Sequence, residues 1–218
     1  MSGEGAQAPD VLIGIVGYTP VVDAYPLGPK LMAALDARLA GRGGIAVENM
    51  SWGPIHIVQR FQDEGAARPR RLVLVGAASV SSSPGRVRAF RWMGGSLPAQ
   101  VMQERMYEAV TGIIDIENTL IIGAHFGVWP DEAYSVEVDL AADTFGRMVI
   151  ADSQGWASDA TLADHLGFSP ADAIAALVDA AVALAVDGAA AQIAVEPKSA
   201  SSFAKIEPFI RNRSPGAG

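Results

Sequence analysis

The chain has 218 residues, half of them hydrophobic but only 7% aromatic, and its net charge is −8. This length suits one well-buried core, and the acidic charge argues against binding to nucleic acid or acidic membranes. The lack of cysteine excludes disulfides and thiolate chemistry. The sequence shows no export signal, and no apolar run approaches the roughly 20 residues that a membrane span needs. We therefore expect a cytoplasmic protein.

The first part of the chain alternates apolar runs with helical patterns. Short apolar runs at residues 10–17, 45–48 and 71–77 predict buried strands. Between them, leucine and methionine recur at helical spacing over residues 27–39, and a proline opens a second amphipathic stretch over residues 54–61. This order is typical of a parallel sheet covered by helices.

The middle of the chain is more varied. Residues 86–92 alternate basic and apolar side chains, which predicts a half-exposed strand at the sheet edge. Pro98 opens a helix, and the apolar residues 119–125 predict a further buried strand. Residues 134–140 alternate again and could pair with residues 146–151 as a hairpin.

A strong helix start lies near the end of the chain, where Ser169 is followed by proline and a carboxylate, and an alanine-rich helix runs to about Val186. The whole pattern predicts a three-layer α/β/α fold with a mostly parallel central sheet and an edge strand or hairpin. We expect a disordered N-terminus over residues 1–9, a single α/β domain over residues 10–195 and a flexible C-terminal tail over residues 196–218.

Ligands of open α/β sheets bind in the loops at the carboxyl ends of the strands. These loops contain neither a phosphate-binding glycine motif nor a Gly-x-Ser-x-Gly elbow. His125 is expected at the exit of a buried strand. A carboxylate from Asp23, Asp131 or Glu132 beside it would make a set able to bind a divalent metal, although the spacing matches no recognised signature. Further cleft candidates are Glu48, Ser51 and Trp52.

Aromatic residues and a basic tail are the features that suggest a protein partner. Tyr18, Tyr25, Trp52, Phe126 and Trp129 fall in the same loops. They could line a cleft or an interface, or they could pack over helix ends. From Glu196 onward the chain has four basic residues against two acidic ones, so this segment is either a solvated terminus or a docking element. Self-association is equally compatible with these residues.

Several motifs in order resemble those of the hydrogenase maturation endopeptidases. They are the loop Gly17–Gly28 with Asp23, the segment Glu48-Asn-Met-Ser51-Trp52-Gly53, the Gly76-Ala77 strand end followed by Pro84-Gly85, and the helix that opens at Ser169-Pro170. The resemblance covers about residues 10–130 together with this closing helix. It implies a phosphorylase/hydrolase-like α/β fold and an enzyme that clips the C-terminal tail of the large subunit of nickel–iron hydrogenase.

The chain departs from the family at the positions of the metal ligands. The resemblance implies three ligand positions, and these fall at Ala24 (or Asp23, if an insertion is placed differently), Gly76 and Ala99. Glycine and alanine have no side-chain donor atom, and losing two ligands of three removes most of the binding free energy.

We therefore expect a divergent, non-catalytic member of this family that works as a protein-binding or assembly module. It would hold no metal and no cofactor, and its partner would be a hydrogenase subunit or another assembly. Two alternatives remain open. One is an active metal-recognising endopeptidase that processes a hydrogenase large subunit, and the other is an enzyme whose site has moved to the surroundings of His125.

Overall fold

A computed structural model describes residues 9–16, 27–63, 68–78, 83–111, 115–141, 144, 163–164 and 166–203. The strands are β1 Val11–Ile15, β2 Ile45–Asn49, β3 Arg71–Ala78, β4 Val87–Trp92, β5 Glu132–Asp139 and β6 Val195–Lys198. The helices are α1 Leu27–Leu39, α2 Pro54–Gln62, α3 Ala99–Val110, α4 Ile116–His125 and α5 Pro170–Asp187. Two short 3-10 helices cover Gly188–Ala190 and Ala200–Phe203.

The six strands form one mixed sheet in the order β2-β1-β3-β5-β4-β6. All neighbours run parallel except β4 and β5, which are antiparallel. Alternate strand residues face opposite layers: Ile13 packs with α1 and α5, whereas Leu12 packs with α2, α3 and α4. This arrangement confirms the predicted α/β fold with a mostly parallel sheet flanked by helices.

Residues 119–125 belong to helix α4, so the prediction of a buried strand there is wrong. Asp115 caps this helix by accepting a hydrogen bond from the backbone N–H of Asn118, and the Thr119 hydroxyl donates to the Asp115 carbonyl. The helix is apolar over most of its circumference because it is covered by the sheet on one side and by α2 and α3 on the other. A short apolar run of this kind cannot be assigned from periodicity alone.

The predicted sheet edge is also in the wrong place. Strand β4 pairs with β5 on one side and with β6 on the other, so β6 is the edge strand. The predicted tail boundary at residue 196 therefore falls inside a strand. Pro197 suits this edge position, since proline cannot donate a ladder hydrogen bond.

Strand β5 is a central strand, although its alternating sequence predicted a half-exposed hairpin. Its residues are buried from Ala133 to Asp139. The polar members of the alternation (Ser135, Glu137 and Asp139) are inside the protein and paired with other polar groups. The hairpin partner predicted at residues 146–151 lies outside the described residues, as does the predicted N-terminal segment apart from Pro9.

Helix α5 begins as predicted, with the Ser169 hydroxyl oxygen accepting from the backbone N–H of Asp172 at 3.3 Å. Residues 170–190 are long and apolar enough to cross a bilayer by length and composition, with a mean hydropathy of 1.9, which corrects the expectation that no apolar run approaches that length. One stripe of the helix (Leu177, Ala181 and Leu184) is buried against α1 and the sheet.

Candidate functional site

The carboxyl ends of β1, β2, β3 and β5 share one edge of the sheet, and the predicted cleft residues Glu48, Ser51 and Trp52 lie there, at and after the end of β2. The Glu48 carboxylate is already engaged. It accepts a bidentate interaction from Arg60 of α2, with one N···O distance of 2.8 Å, and the Arg60 guanidinium lies 5.5 Å from the centre of the Trp52 ring. Glu48 therefore ties β2 to α2.

His125 lies at the opposite, amino edge of the sheet, because it ends α4 rather than a strand. It is exposed, makes an edge contact with Phe126 at 5.2 Å between ring centres, and lines a cavity of about 150 Å³. Asp131 is exposed nearby in sequence. Glu132 accepts hydrogen bonds from Arg71 at 2.6 Å and Arg70 at 2.9 Å, and the Arg71 hydrogen bond lowers the pKa of Glu132.

Two of the three ligand positions implied by the resemblance, Gly76 and Ala99, lie in the part of the chain that the structure describes, on different elements. Gly76 is in register with Glu137 near the carboxyl end of the sheet. Ala99 begins α3 after the antiparallel strand β4, which runs toward the amino edge. Asp23 and Ala24 lie outside the described residues.

No side chain fits at position 76 without displacing the backbone. A Cβ placed on Gly76 would lie 2.7 Å from the carbonyl oxygen of Val16, which is closer than real Cβ contacts come. Close approach of two strands thus accounts for this glycine. An aspartate at this position would require β1 and β3 to separate.

A group of buried polar side chains lies beside Gly76, and we call it the Lys198 cluster: Lys198, Glu137, Glu117 and Ser135. The Lys198 ammonium lies 2.7 Å from both carboxylate oxygens of Glu137 and 3.8 Å from Glu117. The Ser135 hydroxyl donates to Glu137 at 2.5 Å, and the ammonium lies 4.4 Å from the centre of the Phe90 ring. Glu137 is fully buried, so its charge depends on these partners.

The electrostatics of the cluster centre on Glu117. Burial raises the pKa of Glu117 from 4.5 to about 7, against the opposing effect of the Lys198 charge. Burial likewise raises the pKa of Asp115, although its hydrogen bond from the backbone of Asn118 opposes the change. A carboxyl group that titrates near neutrality is uncommon and marks a position where protonation can alter the structure.

Sequence reasoning missed this cluster. The sequence predicts Lys198 in a flexible tail and Glu137 in an alternating segment that could form a hairpin. The pairing spans 61 residues of chain, so no local motif indicates it.

Exposed apolar side chains also occur at the carboxyl edge, and we call them the Trp52 patch: Trp52, Tyr107 and Val110, with exposed fractions of 42%, 61% and 73%. Tyr107 and Val110 share one face of α3. Trp52 lies beside the last turn of that helix, because a Cβ on neighbouring Gly53 would be 3.7 Å from the carbonyl oxygen of Ala109. The predicted interface residue Trp52 is therefore exposed, whereas Trp129 packs inside and donates to the Leu120 carbonyl.

Within the described ranges, no group of three or more histidine, aspartate or glutamate residues is arranged to hold a metal ion. The acidic residues that come together do so around arginine or lysine. The described part of the site can therefore carry buried charge and take up a proton at Glu117, and it presents apolar surface at one rim.

No protein-family model and no curated protein sequence matches this chain. Several solved structures resemble its fold, among them a peptidase and a hydrolase. One is the hydrogenase 2 maturation peptidase from Thaumarchaeota archaeon SCGC_AB-539-E09, at 13% identity and a TM-score of 0.33, with 72% of this chain and 97% of that chain covered. The other is a peptidyl-tRNA hydrolase in complex with N-propanol, at 10% identity and a TM-score of 0.37, with 86% and 94% covered. These values describe a distant fold relationship and carry no conclusion about activity.

Proposed function

We propose that this chain is a non-catalytic protein-binding or assembly module on a hydrolase-like α/β fold, and that the Trp52 patch contacts the partner. The observation that carries the proposal is the exposure of Trp52, Tyr107 and Val110 at the carboxyl edge, where the residue after Trp52 approaches the last turn of α3. Large aromatic side chains at the centre of an interface supply much of its binding free energy. A hydrogenase subunit is the partner class that the sequence motifs favour, and a second copy of this chain is the competing one.

Two features of the carboxyl edge support a function without a bound metal. Position 76 is closed to a ligand side chain by the Val16 carbonyl. The nearest carboxylate in register, Glu137, is already paired with the Lys198 ammonium at 2.7 Å, so its oxygens are engaged rather than free to hold a cation.

The first test removes the patch. We expect the double variant Trp52→Ser, Val110→Ser to lose at least about tenfold of the affinity for a partner that the wild-type protein captures from its own cells, since each lost hot-spot contact is worth about 2 kcal/mol. The measurement is quantitative capture followed by titration with the purified partner. Light scattering of each variant reports self-association.

The matched control is Met93→Ser, Val186→Ser, which removes apolar side chains that are 58% and 40% exposed elsewhere on the surface. It should bind as the wild-type protein does. Equal binding by both double variants would show that the Trp52 patch is not the contact surface.

The second test concerns the metal. Calorimetric titration of tag-free protein with Ni²⁺ or Zn²⁺ is expected to give no saturable micromolar site. Incubation with a nickel-loaded hydrogenase large-subunit precursor should leave its C-terminal tail uncut. One-to-one micromolar binding, or a clipped tail, would instead support the active endopeptidase.

A further inference from the structure

Strand β6 lies at the edge of the described sheet, where its neighbour is β4. Val195 at its start packs against the core. Just beyond the pairing with β4, the Met93 N–H donates to the Lys198 carbonyl at 2.8 Å, and the Ala200 N–H donates to the Gly94 carbonyl at 3.0 Å. The Lys198 side chain reaches past β4 to Glu137 of β5.

We propose that the protonation state of Glu117 in the Lys198 cluster controls the attachment of β6. Strand β6 stays paired with β4 while Glu117 carries a proton, and this pairing opens more often when Glu117 ionises. The inference concerns the attachment of β6 and does not depend on the proposed binding function.

The net charge of the cluster depends on whether Glu117 is protonated. One ammonium faces two carboxylates, Glu137 at 2.7 Å and Glu117 at 3.8 Å, and the ammonium is largely buried. With Glu117 protonated, Lys198 and Glu137 form a neutral pair. With Glu117 ionised, the described side chains of the cluster carry one net negative charge, which is unfavourable in a buried volume unless water reaches it.

The charged groups on the neighbouring elements relieve little of this excess: Arg105 lowers the pKa of Glu117, but its effect is smaller than those of burial, Lys198 and the two neighbouring carboxylates. On α3, Arg105 is paired with Glu108 at 3.1 Å. Arg88 of β4 is paired with Asp139 of β5 at 2.8 Å. Asp115, which caps α4, adds a further buried carboxyl group close to Glu117.

Of the three elements that carry the cluster, β6 is the one expected to move. Helix α4 carries Glu117, but it is anchored by the buried residues Ile116, Leu120 and Ile122. Strand β5 is central. The edge strand β6 has one buried residue, Lys198, among its four, whereas α4 and β5 are mostly buried, so its displacement admits water to Glu117 at the lowest free-energy cost.

The pH range follows from Glu117. Its pKa is about 7 in the closed cluster and returns toward 4.5 when the cluster opens. The closed form therefore binds a proton that the open form releases between these values. The equilibrium constant for opening should rise up to about tenfold per pH unit between pH 5 and pH 7 and level off above that range.

Hydrogen exchange at single amides tests this directly. After correction for intrinsic exchange, the protection factors of the Met93 and Ala200 amides in the wild-type protein should fall by up to about tenfold per pH unit between pH 5 and pH 7. In Glu117→Gln the profile should be flat, because the amide cannot ionise. The Glu196→Gln variant removes an exposed carboxylate from the same strand and should keep the wild-type slope.

Two outcomes would overturn the proposal. One is a pH-independent wild-type profile, or the same slope in Glu117→Gln. The other is an identical pH dependence of protection at the Val11 and Val16 amides, in and next to β1. It would mean that the proton controls global unfolding rather than the pairing of β6 with β4.

Discussion

Gly188→Ala is expected to lower the free energy of unfolding by about 3–5 kcal/mol, the range for breaking a buried ionic network. A Cβ at this position would lie 2.2 Å from Nη2 and 2.4 Å from Cζ of Arg71. That guanidinium donates to the carbonyls of Leu184 and Ala185 at the end of α5 and to Glu132. Moving it would leave a buried charge and the last carbonyls of α5 without partners.

The control for this substitution is Gly127→Ala. Both glycines have positive φ, +58° and +63°, but ψ of Gly188 is −124°, a conformation that glycine adopts far more easily than other residues, and a Cβ on Gly127 would meet nothing within 4 Å. The control should therefore cost only about 1–2 kcal/mol of backbone strain. Urea unfolding followed by circular dichroism measures both. Equal losses would mean that neither the Arg71 contact nor the ψ of Gly188 adds to the cost of a positive φ.

Gly123→Ala is expected to cost about 2–4 kcal/mol, even though alanine is the better helix former by about 1 kcal/mol. The Trp129 indole lies directly on Gly123, and a Cβ there would be 2.0 Å from Cε2 of that ring. Displacing the indole would break its hydrogen bond to the Leu120 carbonyl at 3.0 Å and its edge contact with Phe61, at 5.6 Å between ring centres.

A double-mutant cycle separates this clash from any general effect of alanine in α4. In a Trp129→Ala background the ring is gone, so Gly123→Ala should be neutral or stabilising by up to about 1 kcal/mol. Thermal unfolding of the four proteins gives the coupling free energy. A loss of the same size in both backgrounds would show that Trp129 is not the cause.

Much of the fold could be predicted because many of its strands and helices have clear local sequence signals. The runs that became β1, β2 and β3 are short, apolar and bounded by turns, and Ser169 carries a complete capping signal. Residues 119–125 were assigned wrongly because a helix covered on several sides has no polar stripe to reveal its period. The cap at Asp115 was the available signal, and it lies just upstream of the apolar run.

The candidate site was less predictable, because its interactions join distant parts of the chain. Glu48, Ser51 and Trp52 lie at the expected edge, since they follow a correctly assigned strand. His125 lies at the other edge because it ends helix α4, and Glu132 lies there because it begins strand β5. Alternation in β5 indicated solvent exposure, yet its acidic residues are buried and paired across the sheet.

The late position of β6 has a consequence for synthesis on the ribosome. Glu137 leaves the exit tunnel 61 residues ahead of Lys198. Until the lysine emerges, a nascent chain that had already assembled β1, β3 and β5 would hold an unneutralised carboxylate in its interior, and the outer side of β4 would have no neighbour. Completion of the described sheet is thereby deferred until β6 has been synthesised and the Lys198 ammonium can reach Glu137.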